Sequence, residues 1–288
     1  MKFTPSPIGG RTCRISASTS VTAMKVGHIH APRNRQRMRA GQKRSSRSTA
    51  PQSSLHPVSE LWVAQLGTVP YRDGVELQER LRERRQAGEL PDLLLVLEHP
   101  PVYTKGRRTE PGDLPMGEDW YRAQGIDVCD TDRGGRVTYH GPGQLVAYPI
   151  MAVERVADFV LTMERAIVAA LADEGIAAEV RETPFTGVWA TGSAGQDAKI
   201  ASIGVRVSGG VTTHGLAVNV DNDLQPFEWI VPCGIDHVRM TSVARETGGE
   251  RSLRCFRKRM AWRFAEAFGM RQRLVSPQRL VEREVVAA

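Results

Sequence analysis

The sequence predicts an α+β domain, a mixed β-sheet flanked by helices, that begins near Leu61. From there on, apolar runs of strand length alternate with stretches of helical periodicity. Two adjacent apolar runs, Ala198–Val207 and Val211–Val220, are joined by Ser208-Gly209-Gly210, which signals a hairpin. With 288 residues, 41% hydrophobic and 25% charged, the chain is close to globular averages and can bury a full core.

Taken in order, Leu61–Leu66 reads as a strand, followed by a polar helix from about Tyr71 to Ala87. Asp92–Leu97 is a continuous apolar run between Pro91 and His99-Pro100-Pro101, which suits a buried strand. Gly125–Cys129 and Leu145–Ile150 are further strands, the second closed by Pro149, and the stretch Arg133–Gln144 between them reads as a loop. Val156, Phe159, Val160, Met163, Ile167, Ala170 and Leu171 recur at helical spacing, with Gly175 where a helix stop belongs. Thr186–Ala190 is a strand, the hairpin follows, and a last helix spans Leu253 to Phe268 with Leu253, Phe256, Met260, Phe264 and Phe268 on one side. Beyond Gly269 a frayed tail or a short added strand is expected. The domain division is then 1–58, a basic extension; 59–275, the folded domain; and 276–288, a C-terminal tail.

The net charge of +7 belongs to the extension. Residues 1–59 hold eleven Lys and Arg and no acid, so subtracting +11 from +7 leaves −4 for residues 60–288. A mildly acidic body argues against a nucleic-acid-binding core. The extension is rich in Ser, Thr, Arg and Pro and too poor in large apolar residues to offset its ordering entropy, so disorder is expected. It reads as a nonfunctional or mis-assigned start, an interaction tail, or a targeting segment; a secretory signal is excluded because Lys25 and His28 break its only apolar stretch. No run of 18 apolar residues exists, so no membrane-spanning helix is expected.

Arg133–Gln144 holds four glycines and six hydrogen-bonding side chains, a costly stretch to hold rigid. Its glycines let backbone approach a ligand, and His140 is its one group able to exchange protons near neutral pH. An ordinary glycine-rich connector remains the plain alternative. Neither a dinucleotide fingerprint nor a phosphate loop is present.

The cysteines, Cys13, Cys129, Cys233 and Cys255, form no C-x-x-C pair, and free thiols in a reducing compartment are expected. Cys13 lies in the extension, Cys129 in an apolar strand, and Cys255 at a surface or half-buried helix position. Cys233 stands in a turn between Pro232 and Gly234, where it is either a displayed nucleophile or a turn residue. Lys199 falls on the apolar face of its strand with Ala201, Ile203, Val205 and Val207. It either points into the core, paired, or snorkels to water.

The stretch Arg133-Gly134-Gly135-Arg136-Val137-Thr138-Tyr139-His140-Gly141-Pro142-Gly143-Gln144 resembles the signature of the octanoyltransferases of lipoate biosynthesis. Four other segments resemble the same family, in its order: Glu98–Gly106, Ala198–Gly204, Thr213–Asn219 and Pro232-Cys233-Gly234. The likeness runs from about Leu61 to about Gly269. It implies the catalytic core shared with biotin and lipoate protein ligases. It also implies a cysteine acyltransferase in which Cys233 carries the acyl thioester and Lys199 works with it. Arg133–His140, Ser202, Ile203, Gly204, Gly215, Leu216 and Ala217 would form the acyl pocket. No cofactor or metal is implied.

The implied partners are octanoyl-acyl carrier protein and the lipoyl domains of 2-oxoacid dehydrogenase E2 subunits and glycine cleavage H protein. No nucleic acid or membrane partner is implied, and a cytoplasmic monomer is expected, with mitochondrial targeting the alternative. An acidic carrier calls for a basic patch, for which Arg107-Arg108 and Arg254–Arg259 are the candidates. An ATP-dependent lipoate ligase on the same fold is the alternative enzyme; it would need no nucleophilic cysteine.

Overall fold

The computed structural model describes residues 59–181, 186–191, 197–232, 238–249 and 252–281. The chain divides into two units, Met1–Pro57 and Val58–Ala288.

Eight strands form the main sheet of the second unit: β1 (Glu60–Thr68), β2 (Asp92–Glu98), β6 (Gln144–Ile150), β7 (Ala178–Arg181), β8 (Gly187–Ala190), β9 (Ala198–Ser208), β10 (Val211–Asn219) and β11 (Arg271–Val275). Their order is β11-β1-β2-β6-β10-β9-β8-β7. The pairings β11–β1 and β1–β2 are parallel and the rest antiparallel, so the sheet is mixed, as expected. Both faces are covered, which is why β2 and β6 read as unbroken apolar runs. On one face Leu94, Val96, Leu145 and Ala147 pack beneath α3 (Val156–Ala172) and α6 (Leu253–Ala267). On the other, Leu93, Leu95, Val146 and Tyr148 join Leu81 of α1 (Tyr71–Gln86). The period-2 alternation of side chains makes both layers from one strand.

A second sheet escapes the sequence reading except for one strand, which overlaps the expected Gly125–Cys129. It orders β4 (Asp127–Asp130), β3 (Val102–Lys105) and β5 (Thr138–His140). Its core is aromatic, with Tyr103, Tyr121, Tyr139 and Phe227 in contact. Short helices α2 (Glu118–Ala123) and α4 (Gln225–Glu228) close it, through hydrogen bonds from Tyr121 Oη to Trp229 O (2.7 Å) and from Tyr103 Oη to Pro226 O (2.6 Å). Thus β5 lies inside the segment expected to be a loop. Three residues are too few for a local period to show.

Pro149 does not close its strand. It sits inside β6, opposite Leu94, and the Thr212 hydroxyl donates to its carbonyl at 2.7 Å. Gly215 lets β10 come this close, since a Cβ there would lie 2.2 Å from Ala147 O. Of the two expectations after Gly269, the short added strand is the one formed, as β11, and α7 (Pro277–Val281) buries Leu280 against the β1 side of the sheet. Residues 277–281 therefore pack on the domain rather than forming part of a tail. Helix α5 (Val243–Thr247) is capped by the Ser242 hydroxyl, which accepts from Arg245 N.

Candidate active site

One cavity of about 360 Å³ lies where the two sheets meet, a size typical of small-ligand pockets. Strands β6, β9 and β10 supply Val146, Tyr148, Ser202, Ile203, Gly204, Gly215, Leu216 and Ala217 to its lining. The segment entering β5 supplies Arg133, Gly135, Arg136, Thr138 and His140. Of the expected pocket residues, Gly134, Val137 and Tyr139 do not line it. Strand alternation sends Thr138 and His140 to the cavity, while Val137 and Tyr139 go to the aromatic core. Gly134 instead bonds the two sheets together, its N–H reaching Val205 O at 3.2 Å. Gly204 is required there, because a Cβ would meet Gly134 O at 2.8 Å.

Both arginines of this segment have architectural partners. Arg133 is buried, and its guanidinium donates to Thr104 O (2.6 Å) and Oγ1 (2.8 Å) and to Gly134 O (3.0 Å). Arg136 bridges the buried Asp113 and the exposed Glu110. Of the two candidate basic patches, Arg257 and Arg259 on α6 are engaged with Glu98 and with Glu174. Arg107 and Arg108 are exposed, and Arg108 lines the cavity.

An aromatic and imidazole cluster stands at one end of the cavity, where His99, His140 and His214 from three of the motif segments meet Tyr71 and Tyr148. His99 Nδ1 donates to Val69 O at 2.7 Å, since a carbonyl can only accept, which leaves Nε2 to accept from Tyr148 Oη at 2.7 Å. Gln144 Nε2 donates to Tyr139 O and Asn219 Oδ1, so its Oε1 accepts from His140 Nδ1 at 2.7 Å. Burial pushes His99 down to about 4 and His140 down to about 3. His140 is therefore neutral at pH 7 and no proton exchanger there, contrary to the expectation. His214 has φ 57°, a left-handed conformation uncommon outside glycine, and is held by Asp132 Oδ1 (2.8 Å) and by Gln78 Oε1, which accepts from its N–H at 2.6 Å.

These buried neutral imidazoles predict an acid-sensitive fold. The unfolded chain takes up protons at about 6.5, the folded chain only near 4 and 3, so the unfolded state binds more protons in between. The stabilisation is complete above about 6.5 and is lost as pH falls below it. We expect the Tm to drop between pH 7 and 5, and to drop less in His140→Asn. An equal slope in both proteins counts against this.

Lys199 is a second buried cation of the site, 2% exposed and part of the cavity lining. Its Nζ donates to Thr186 O at 2.9 Å and lies 5.9 Å from the Trp189 ring centroid. Of the two readings the sequence left open, it is the inward one that the fold adopts. Its backbone is fastened on both sides: its N–H donates to Arg239 O (2.7 Å), and its carbonyl accepts from Thr241 N (2.9 Å). Asn219 Nδ2 in turn donates to Thr241 O (3.0 Å), linking this strand to Gln144 and His140.

Cys233, the expected nucleophile, lies outside the described residues. Cys129 is a free, buried thiol whose pKa is pushed up by burial, as suits a small hydrophobe. Cys255 is half-buried, as expected, but is disulfide-bonded rather than free.

Residues 70–265 match the family described as the lipoyl protein ligase A/B catalytic domain. An octanoyltransferase of Mycobacterium avium is 48% identical over 188 residues, covering 64% of this chain and 77% of the relative. That of Corynebacterium diphtheriae is 42% identical over 192 residues, 65% of this chain and 74% of the relative. The chain belongs to the octanoyltransferase family. Among solved structures, a bipartite lipoate protein ligase from Thermoplasma acidophilum superposes with a TM-score of 0.60 at 17% identity, over 76% of this chain and 87% of its own. A lipoate-protein ligase A bound with ATP gives 0.59 at 18%, over 77% and 92%. This octanoyltransferase-family chain therefore has the lipoate ligase fold.

Proposed function

We propose that the protein transfers an octanoyl group from acyl carrier protein to the ε-amine of a lysine on lipoyl domains, through a thioester on Cys233. The observation that carries the reading is a buried lysine, Lys199, in the wall of a cavity that also offers a run of apolar side chains. Val146, Ile203, Leu216 and Ala217 offer an alkyl chain the surface it needs. Arg239–Thr241, a few residues past Cys233 in the chain, are bonded to the backbone of Lys199.

The Cys233 thiolate attacks the thioester carbonyl, and the carbon–sulfur bond to the carrier breaks as Lys199 gives a proton to the departing thiol. The ε-amine of the acceptor lysine then attacks the acyl-enzyme and loses a proton to Lys199. The amide forms as the bond to Cys233 breaks. Thioester exchange is near balance and amide formation is downhill, so neither step calls for ATP. The acceptors are the lipoyl domains of 2-oxoacid dehydrogenase E2 subunits and glycine cleavage H protein, and the reaction is cytoplasmic. An ATP-dependent ligase would need an activated acyl adenylate instead.

The test is intact-protein mass after mixing with octanoyl-acyl carrier protein and no nucleotide. One octanoyl group is expected on the protein, at Cys233 by peptide mapping, and it should leave when a lipoyl domain is added. Loading that requires ATP would replace this reading with the ligase.

A further inference from the structure

One peptide unit lies against the Lys199 amine and stem. The carbonyl of Thr186 accepts from its Nζ at 2.9 Å, and the N–H on the other side of that peptide, of Gly187, donates to Glu164 Oε1 at 3.3 Å. Glu164 is only 4% exposed, and it projects from α3, a helix whose neighbouring Met163, Ala166 and Ile167 belong to the apolar core. A carboxyl at such a position needs a polar partner, and the Gly187 N–H is within reach. Gly187 has φ 130° and no room for a side chain: a Cβ would lie 2.8 Å from Lys199 Cε and 2.6 Å from Ala201 O. The peptide thus lies directly against the lysine stem, and turning it would move the acceptor that Nζ uses.

We infer that Glu164 is a positioning residue, whose carboxyl holds the Thr186–Gly187 peptide in the orientation that aims the Lys199 amine at the reacting centre. The inference rests on the proposed proton-transfer role of Lys199. Glu164 itself touches no substrate. Its effect belongs in kcat, because small misplacements of a reacting group are costly in rate, on the order of 10²-fold per ångström.

The experiment measures steady-state octanoyl transfer and Tm for Glu164→Leu, Glu164→Asp and Glu164→Gln. Leu fills the space without an acceptor, Asp withdraws the carboxyl by one methylene, and Gln keeps an acceptor oxygen in place. We expect kcat to fall on the order of 10²-fold in Leu and Asp with KM within about twofold, and to recover to within about threefold of wild type in Gln. Wild-type kcat in Glu164→Leu overturns the inference, as does Glu164→Gln being as impaired as Glu164→Asp. If the Leu variant does not fold, the Asp and Gln pair decides alone. A Lys199→Arg enzyme near wild type would remove the underlying role of the lysine. Loss in Lys199→Arg with normal Glu164 variants would remove only the positioning by Glu164.

Discussion

Cys233→Ala is expected to neither load nor transfer the octanoyl group, with turnover reduced by a factor on the order of 10⁴ or more, as for other lost nucleophiles. Alanine is close to cysteine in size but has no sulfur on which an acyl-enzyme can form. Cys129→Ala is the matched control: that thiol is buried in β4, so the variant should load and transfer within about twofold of wild type, whatever it loses in stability. The readouts are the octanoyl mass increment and the rate of lipoyl-domain acylation. Transfer that survives in Cys233→Ala would end the covalent mechanism.

Lys199→Arg should be the next most damaging change, lowering turnover on the order of 10²- to 10⁴-fold, the range of a lost general acid–base. A guanidinium keeps the positive charge that favours a thiolate, yet stays ionised and so cannot pass a proton between thiol and amine. It is also bulkier than the ammonium that fits between Thr186 O and Gly187. Size and proton transfer are separated by stage. A misfit alone would slow loading and discharge alike. A missing proton carrier should slow attack by the acceptor amine most, because that step must shed a proton. Single-turnover measurements of the two half-reactions distinguish them, and wild-type rates in both would reduce Lys199 to a structural cation.

Some of this architecture could be read along the chain because it is written in local periods. Strands β1, β2, β9 and β10 and helices α1, α3 and α6 fall within a few residues of where apolar spacing predicts them. The hairpin turn needs only Ser208-Gly209-Gly210, and both of its glycines have positive φ. The motif segments were equally visible, though not the work their residues do. Glu98 serves as a bracket, accepting from Gly143 N at 2.7 Å and pairing with Arg257, and Asn219 ties Gln144 to Thr241. No local pattern announces a bond between residues so far apart in the chain.

By itself, then, the sequence determined the fold class, the family and the residues worth testing, since periodicity and motif order are properties of neighbours along the chain. Only the tertiary structure decided that Arg133 and Arg136 brace the cavity wall, that β5 turns Val137 and Tyr139 away from it, and that His140 is held neutral. It alone brought Glu164 of α3 to the peptide that holds Lys199 of β9. Each of these depends on burial and on partners from distant segments, and desolvation and hydrogen bonding act through space once the two sheets have closed on each other.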